Sequence, residues 1–249
     1  ETAPLSKLPK DVQEKLKTIK TKLDKFQKQV LEKFDKYIMG IALLPPPRDP
    51  EQVPGMPQLP AQPKPEQKPK ADKDQISVLV LVDDSDSQKM SKYELKDKLT
   101  AIIQNIAKEI DKNLTPQTVI LSELWQSCYD AKYDLLQLIA LAAPVYDKGM
   151  LSAIKIAEVH KTMVLKKFEK YIVSYVLAGS LVQGRATKTS DIDVWVVIDD
   201  TDVKKMTRAE LKDKLRAIII GMGIEAGDIT GIQNKINIQV YILTDFWDS

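Results

Sequence analysis

An α/β chain built from two tandem units is the fold the sequence predicts, and three observations predict it. First, blocks recur in the same order. "VLEKFDKYIMGIALLPP" from Val30 returns as "VLKKFEKYIVSYVLAGS" from Val164, and "ISVLVLVDDSDSQKMSKYELKDKLTAII" from Ile76 returns as "IDVWVVIDDTDVKKMTRAELKDKLRAII" from Ile192. "QTVILSELWQS" from Gln117 returns as "QVYILTDFWDS" from Gln239. Second, β-branched runs such as Val78 to Val82 and Val194 to Ile198 each end in Asp-Asp, which is the pattern of buried strands. Third, apolar residues at helical spacing precede and follow those runs. Each unit therefore reads as helix, strand, loop, strand, helix, strand, and the chain reads as a tandem duplication.

The first helix carries Val12, Leu16, Ile19, Leu23, Phe26, Val30, Phe34 and Tyr37 at a 4-3-4-3 spacing, a narrow stripe close to a coiled-coil seam. Its other face is rich in lysine, the composition of a solvated surface and also a place for a protein or nucleic-acid partner. Between Pro45 and Gln75 lie ten of the 14 prolines, interleaved with Gln, Lys and Glu. Such a segment buries too little apolar area to offset its ordering entropy and reads as an extended insertion within the first unit. After each strand, Ser91 with Glu94 and Thr207 with Glu210 form capping boxes that open the helices "ELKDKL". A third strand is expected at Ile236 to Leu243, and its match at Val119 to Leu121 and neighbouring residues. The boundary between units falls near Lys148 to Leu151, giving domains 1–148, with the insertion at 45–75, and 149–249.

Composition narrows the classes. With 43% apolar and 29% charged residues the chain has the make-up of a globular protein, and a net charge of +2 gives no global field for nucleic acid or membrane. A single cysteine, Cys128, excludes an intramolecular disulfide framework, and a single histidine, His160, excludes a zinc site of ordinary type. No apolar run reaches the ~18 residues of a membrane span, and the N-terminus lacks a signal-peptide pattern. These observations point to the cytoplasm.

The chemistry concentrates in "VLAGSLVQGRATKTSDIDVWVVIDD", Val176 to Asp200. Gly179 lets backbone approach a bulky anion, and Ser180 offers a hydroxyl and an amide to phosphate oxygens. Asp191 and Asp193, two apart at a strand start, project from one face. Paired carboxylates are costly without a cation between them, and hard divalent ions, Mg²⁺ or Mn²⁺, choose such oxygen ligands. A phosphate-binding turn with paired aspartates therefore suggests metal-dependent phosphoryl chemistry. Arg185 and Lys188 lie in the same loop, and two readings stand equally for them: contacts to a triphosphate or solvated loop charges.

"GSLVQGRATKTSDIDVWVV" resembles the signature of the DNA polymerase beta-type nucleotidyltransferase superfamily, in particular its minimal nucleotidyltransferase branch. The elements are Gly-Ser, a Gly four residues on (Gly184), then Ser-Asp-x-Asp and an apolar strand. The resemblance covers Val173 to Asp200 closely and the rest of the second unit loosely. It implies mixed sheets flanked by helices, with Gly179, Ser180, Gly184, Ser190 and Lys188 near the nucleotide and Asp191 and Asp193 as catalytic metal ligands. It also implies that Ser190 orients Asp191. One departure matters: the family's third carboxylate is expected at Gln239, which cannot act as a general base.

In the first unit the counterparts of Gly179 and Ser180 are Pro45 and Pro46, and those of Asp191, Asp193 and Gln239 are Gln75, Ser77 and Gln117. Every group that would handle phosphate or metal is replaced, so the first unit reads as a degenerate copy. Asp83, Asp84, Asp199 and Asp200 recur in both units and are expected at strand exits. His160 replaces Phe26 and is expected to pack, as are Trp125 and Trp247. Two functions compete. One is magnesium-dependent transfer of a nucleoside monophosphate from a nucleoside triphosphate to a hydroxyl on a protein, RNA or small molecule. The other is a catalytically impaired nucleotide- or partner-binding protein. Because "CYDAKYDLLQLIALAAPVYDKGM", a helix and an extended segment, comes after "SELWQS" in the first unit only, further residues are expected beyond Ser249. Those residues and the N-terminal helix are the expected places for a protein partner. The second unit's apolar face is expected to be partly exposed or covered by the first unit, with the Val12 to Tyr37 helix as a candidate cover.

Overall fold

In the computed structural model, residues 9–46, 74–85, 90–203 and 205–247 are described. Most of the proline-rich insertion lies outside them. Two mixed sheets flanked by helices result, as the sequence predicts. In the first, β1 (Ile38–Leu43) runs antiparallel to β2 (Ile76–Val82), and β2 runs parallel to β3 (Leu114–Ile120). In the second, β5 (Ile172–Ala178) runs antiparallel to β6 (Ile192–Ile198), and β6 runs parallel to β7 (Ile236–Ile242). The register slips between Ile38 and Gly40 on β1 and between Ile172 and Ser174 on β5, at equivalent residues. β3 begins five residues before the expected Val119 and includes Pro116, which a strand tolerates at the edge of a sheet.

The helices repeat the same scheme twice. α1 (Lys10–Phe34) and α2 (Lys92–Ile110) cover one face of the first sheet, where Val78, Val80, Val82, Ile103 and Phe26 are buried together. α5 (Met150–Phe168) and α6 (Arg208–Thr230) cover the equivalent face of the second, over Ile192, Val194, Val196 and Ile198. The predicted capping box forms in full at Thr207 and by half at Ser91. The Glu94 amide donates to Ser91 Oγ at 3.2 Å, and Thr207 and Glu210 satisfy each other in a full capping box. The α1 stripe is only half used: Leu23, Phe26 and Val30 are buried, while Val12 and Leu16 are exposed.

The first unit has more. α3 (Leu121–Tyr129) and α4 (Asp134–Leu141) lead into β4 (Ala143–Asp147), which pairs antiparallel with β1 and closes the sheet order β3-β2-β1-β4. Asp147 then caps α5, its carboxylate accepting from the amides of Gly149, Leu151 and Ser152 at 2.7–3.0 Å. In the second unit α7 (Leu243–Trp247) corresponds to α3.

One helix joins the two halves. α5 covers the back of the second sheet and also presses on β1, where a Cβ on Gly40 would stand 2.6 Å from Leu151 Cδ1. Only a residue without a Cβ permits that approach. Leu79, Leu81 and Val119 on this face of the first sheet consequently share one core with Ile154, Val194 and Val240. The units do pack together, but the cover differs from the one expected. α1 stays on its own sheet because its outward side, with Lys17 and Lys20 where α5 has Leu151 and Ile154, is not apolar.

Inside the second unit His160 is fully buried, as expected for a packing residue. Its Nε2 donates to the Ile219 carbonyl at 3.0 Å, so Nδ1 accepts from the Tyr175 hydroxyl at 2.7 Å. Burial holds the imidazole below its usual pKa and pushes the Tyr175 phenol far up. Trp125 is half-buried against the shared core. The side chain of Trp247 lies outside the described residues.

Candidate active site

The apolar run of β5 ends at Ala178, whose register partner is Asp193 on β6. The chain then turns at Gly179 with φ +68°, a left-handed conformation that excludes most side chains. A Cβ at Gly179 would collide with Asp193 Oδ2. Turn and carboxylate are therefore in contact, and Gly is required on both counts. The turn is closed by the Gln183, Gly184 and Arg185 amides, which donate to the carbonyls of Gly179, Leu181 and Ser180. Gly184, also left-handed, packs on Leu121 and Met39 of the first unit, so the loop is braced from outside its own domain.

Beyond the turn, Ala186 is buried and Thr187 to Ser190 form a second tight loop. Its anchor is Asn234, a buried side chain whose Nδ2 donates to the carbonyls of Thr187 and Ser190 at 2.9 and 2.8 Å. The Ser190 hydroxyl accepts from the Thr187 amide at 2.9 Å and meets the Thr187 hydroxyl at 2.9 Å. It thus holds the loop rather than orienting Asp191, as the sequence suggested. Lys188 and Arg185 are exposed, and Arg185 bonds Gln183.

Asp191 is exposed just before β6, and Asp193 is half-buried within it. Across the parallel pairing Asp193 stands beside Asn237, whose Nδ2 donates to Asp193 Oδ1 at 2.9 Å. Gln239, expected at the third-carboxylate position, lies two pairs further on, opposite Trp195, and accepts from the Tyr241 hydroxyl at 2.7 Å. The residue touching the metal-type aspartate is therefore an asparagine. The reason is register: the parallel pairing of β6 with β7 sets Asn237, not Gln239, level with Asp193. The signal was present in "INIQVYI", where Asn237, Gln239 and Tyr241 alternate with buried residues and so share one face.

Among the described residues no group of three or more His, Cys, Asp or Glu side chains converges as a metal cage. Two carboxylates beside a phosphate-type turn still suit Mg²⁺, which is commonly held by one or two carboxylates plus substrate phosphates and waters. Asn237 fixes Oδ1 of Asp193, and Oδ2 lies against the Gly179 turn.

The paired Asp residues at the strand exits serve structure. Asp84 accepts from the Ser122 amide and hydroxyl, and Asp200 from the Thr244 amide at 3.3 Å and hydroxyl at 2.7 Å, tying each middle strand to the helix after the third strand. Asp83 and Asp199 accept from the amides of Ser85 and Thr201 in the adjoining turns.

Residues 158–225 match the family model described as "Nucleotidyltransferase domain". The match runs from within α5 through the Gly179 turn, both aspartates and β6 into α6, and stops before β7. No curated protein and no solved structure matches the chain significantly. No helix among the described residues is long and apolar enough to cross a membrane.

Proposed function

We propose that the second unit is a magnesium-dependent nucleotidyltransferase that moves a nucleoside monophosphate from a nucleoside triphosphate to a hydroxyl acceptor. The observation that carries this is the Gly179 turn lying directly against the Asp193 carboxylate, within the segment that matches a nucleotidyltransferase domain. Gly179 and Ser180 would cradle the phosphates, braced through Gly184 and through Asn234 and the Thr187–Ser190 loop, with Lys188 at the loop's exposed edge. Asp191 and Asp193 would hold Mg²⁺ or Mn²⁺. Such an ion supplies Lewis-acid stabilisation of charge on the phosphate oxygens. The hydroxyl oxygen forms its bond to the α-phosphorus while the bond to the pyrophosphate oxygen breaks. Asn237 orients Asp193 and takes no proton, so the acceptor's proton passes to solvent or to the leaving pyrophosphate.

The second reading, nucleotide binding with impaired catalysis, is favoured by that same asparagine. A carboxylate beside Asp193 would act as a base, and an amide does not. We read the first unit as a degenerate copy, supported by its identical strand pairing and by Gln75, Ser77 and Pro45 at the positions of Asp191, Asp193 and Gly179.

Incubation with labelled ATP, CTP, GTP and UTP plus Mg²⁺ tests both. Label transfer with pyrophosphate release is expected for the enzyme, and binding without release for the alternative. Asp191→Asn with Asp193→Asn should weaken Mg²⁺-nucleotide binding about a hundredfold while the fold stays intact, because both ligands to a hard cation are lost. Wild-type affinity in the double variant would refute the site.

A further inference from the structure

Trp195 lies two residues beyond Asp193 on β6 and so shares its face, about 7 Å further along by the rise of a strand. It is 43% exposed, unusual for the middle residue of the middle strand of a sheet. Around it on the same face stand Val176, its register partner on β5 and also exposed, and Tyr241 on β7. The Trp195 and Tyr241 rings meet edge-on, with centroids 6.2 Å apart and planes at 73°. Gln239, directly opposite Trp195, adds an amide whose Oε1 is occupied by the Tyr241 hydroxyl. In the first unit the same positions carry Leu79 and Val119, both buried under the shared core.

We propose that Trp195, with Val176 and Tyr241 beside it, is the platform on which the base of the bound nucleotide stacks. The proposal rests on the nucleotidyltransferase reading above and adds a base-binding subsite to it. The patch is continuous with the turn and aspartates that would hold the phosphates. Its chemistry also favours a base over a protein cover. An apolar helix laid on this face, as helices are laid on the first sheet, would bury Asp193, Asn237 and Gln239 against hydrocarbon, at a desolvation cost. A nucleobase offers a π-face to Trp195 and a hydrogen-bonding edge to the Gln239 amide.

The test compares ligands with and without a base, using the whole chain, Mg²⁺ and calorimetry. The ligands are the four nucleoside triphosphates and inorganic tripolyphosphate, and the variants are Trp195→Leu, which installs the first unit's residue, and Trp195→Phe. Trp195→Leu should weaken the best-bound nucleoside triphosphate by about tenfold or more and leave tripolyphosphate unchanged, and Trp195→Phe should recover most of the loss. Unchanged nucleotide affinity in Trp195→Leu overturns the proposal and leaves the patch as a surface for another protein. Equal weakening of both ligands also overturns it, since Trp195 would then support the phosphate site. If wild type binds neither ligand, or if Asp193→Asn does not weaken tripolyphosphate, the nucleotidyltransferase reading fails and takes this subsite with it.

Discussion

Leu79 on β2 and Trp195 on β6 are equivalent residues on equivalent strands, each in the middle of a three-strand pattern with identical pairing. Leu79 is completely buried, and Trp195 is nearly half exposed. Nothing in the strands themselves explains this. The difference lies in the helices laid over them: the first sheet's face is covered by α3, α4 and α5, while among the described residues none covers the corresponding face of the second beside Asp193. In the covered unit, Ser77 and Thr115 stand where the open unit has Asp193 and Asn237. That end of the first sheet is not under the cover, since Ser77 is half-buried and Thr115 exposed, so the two units differ there in residue chemistry rather than in burial. One topology thus serves as a core layer in one half and as an exposed surface in the other.

Substitution at the equivalent pair is the strongest way to break that contrast. Leu79→Ala should cost about 2–5 kcal/mol in chemical denaturation, because it opens a cavity in the shared core, whereas Trp195→Ala should cost about 1 kcal/mol or less. Similar losses at the two positions would mean that the second face is also packed. The turn gives a second, smaller contrast. Gly179→Ala puts a Cβ into Asp193 from a left-handed backbone and should destabilise by about 1–3 kcal/mol while weakening phosphate binding. Replacing its counterpart, Pro45→Ala, should change stability by about 0.5 kcal/mol at most.

The smallest effect separates His160 from Phe26. The folded His160 holds its proton less well than an unfolded histidine, whose pKa is 6.5, so the unfolded chain gains a proton first as pH falls. Its contribution to stability is therefore complete above that value and declines as pH drops below it. Melting temperature should fall by a few degrees between pH 7.5 and 5.5, and His160→Phe, which installs the first unit's residue, should flatten that step even if its melting point is lower throughout. An unchanged slope in the variant would assign the acid sensitivity to other groups.

Much of this was legible in the sequence, for identifiable reasons. The repeated blocks carry the strand order and both N-caps, because strand pattern and cap chemistry are local. The Gly179 turn and the Asp pair stood out because their spacing is local too. The illegible part depends on how distant segments align. The sequence points to Gln239 and not to Asn237 because a parallel register aligns segments that here lie 44 residues apart, and no local pattern encodes it. Asn234 reaches a loop more than 40 residues away in the chain, and no periodicity marks it. The Ser190 hydroxyl went to Thr187 because the loop folds back on itself. Nor does an amphipathic stripe say how much of itself will be used, which is why Val12 and Leu16 end in solvent.

The position of α5 makes the molecule's unfolding indivisible. Met150, Leu151, Ala153, Ile154, Ile156, Ala157 and Val164 are buried, some toward the first sheet and some toward the second, so no cut through the chain leaves both halves with a complete core. Severing it after Lys148 would strip the first sheet of the helix that closes its face, and keeping the helix with the first half would uncover the back of β5, β6 and β7. Cooperativity stems from that shared ownership: neither half keeps a complete core when the other melts, and the rigidity of the Gly179 turn depends on the first half staying folded.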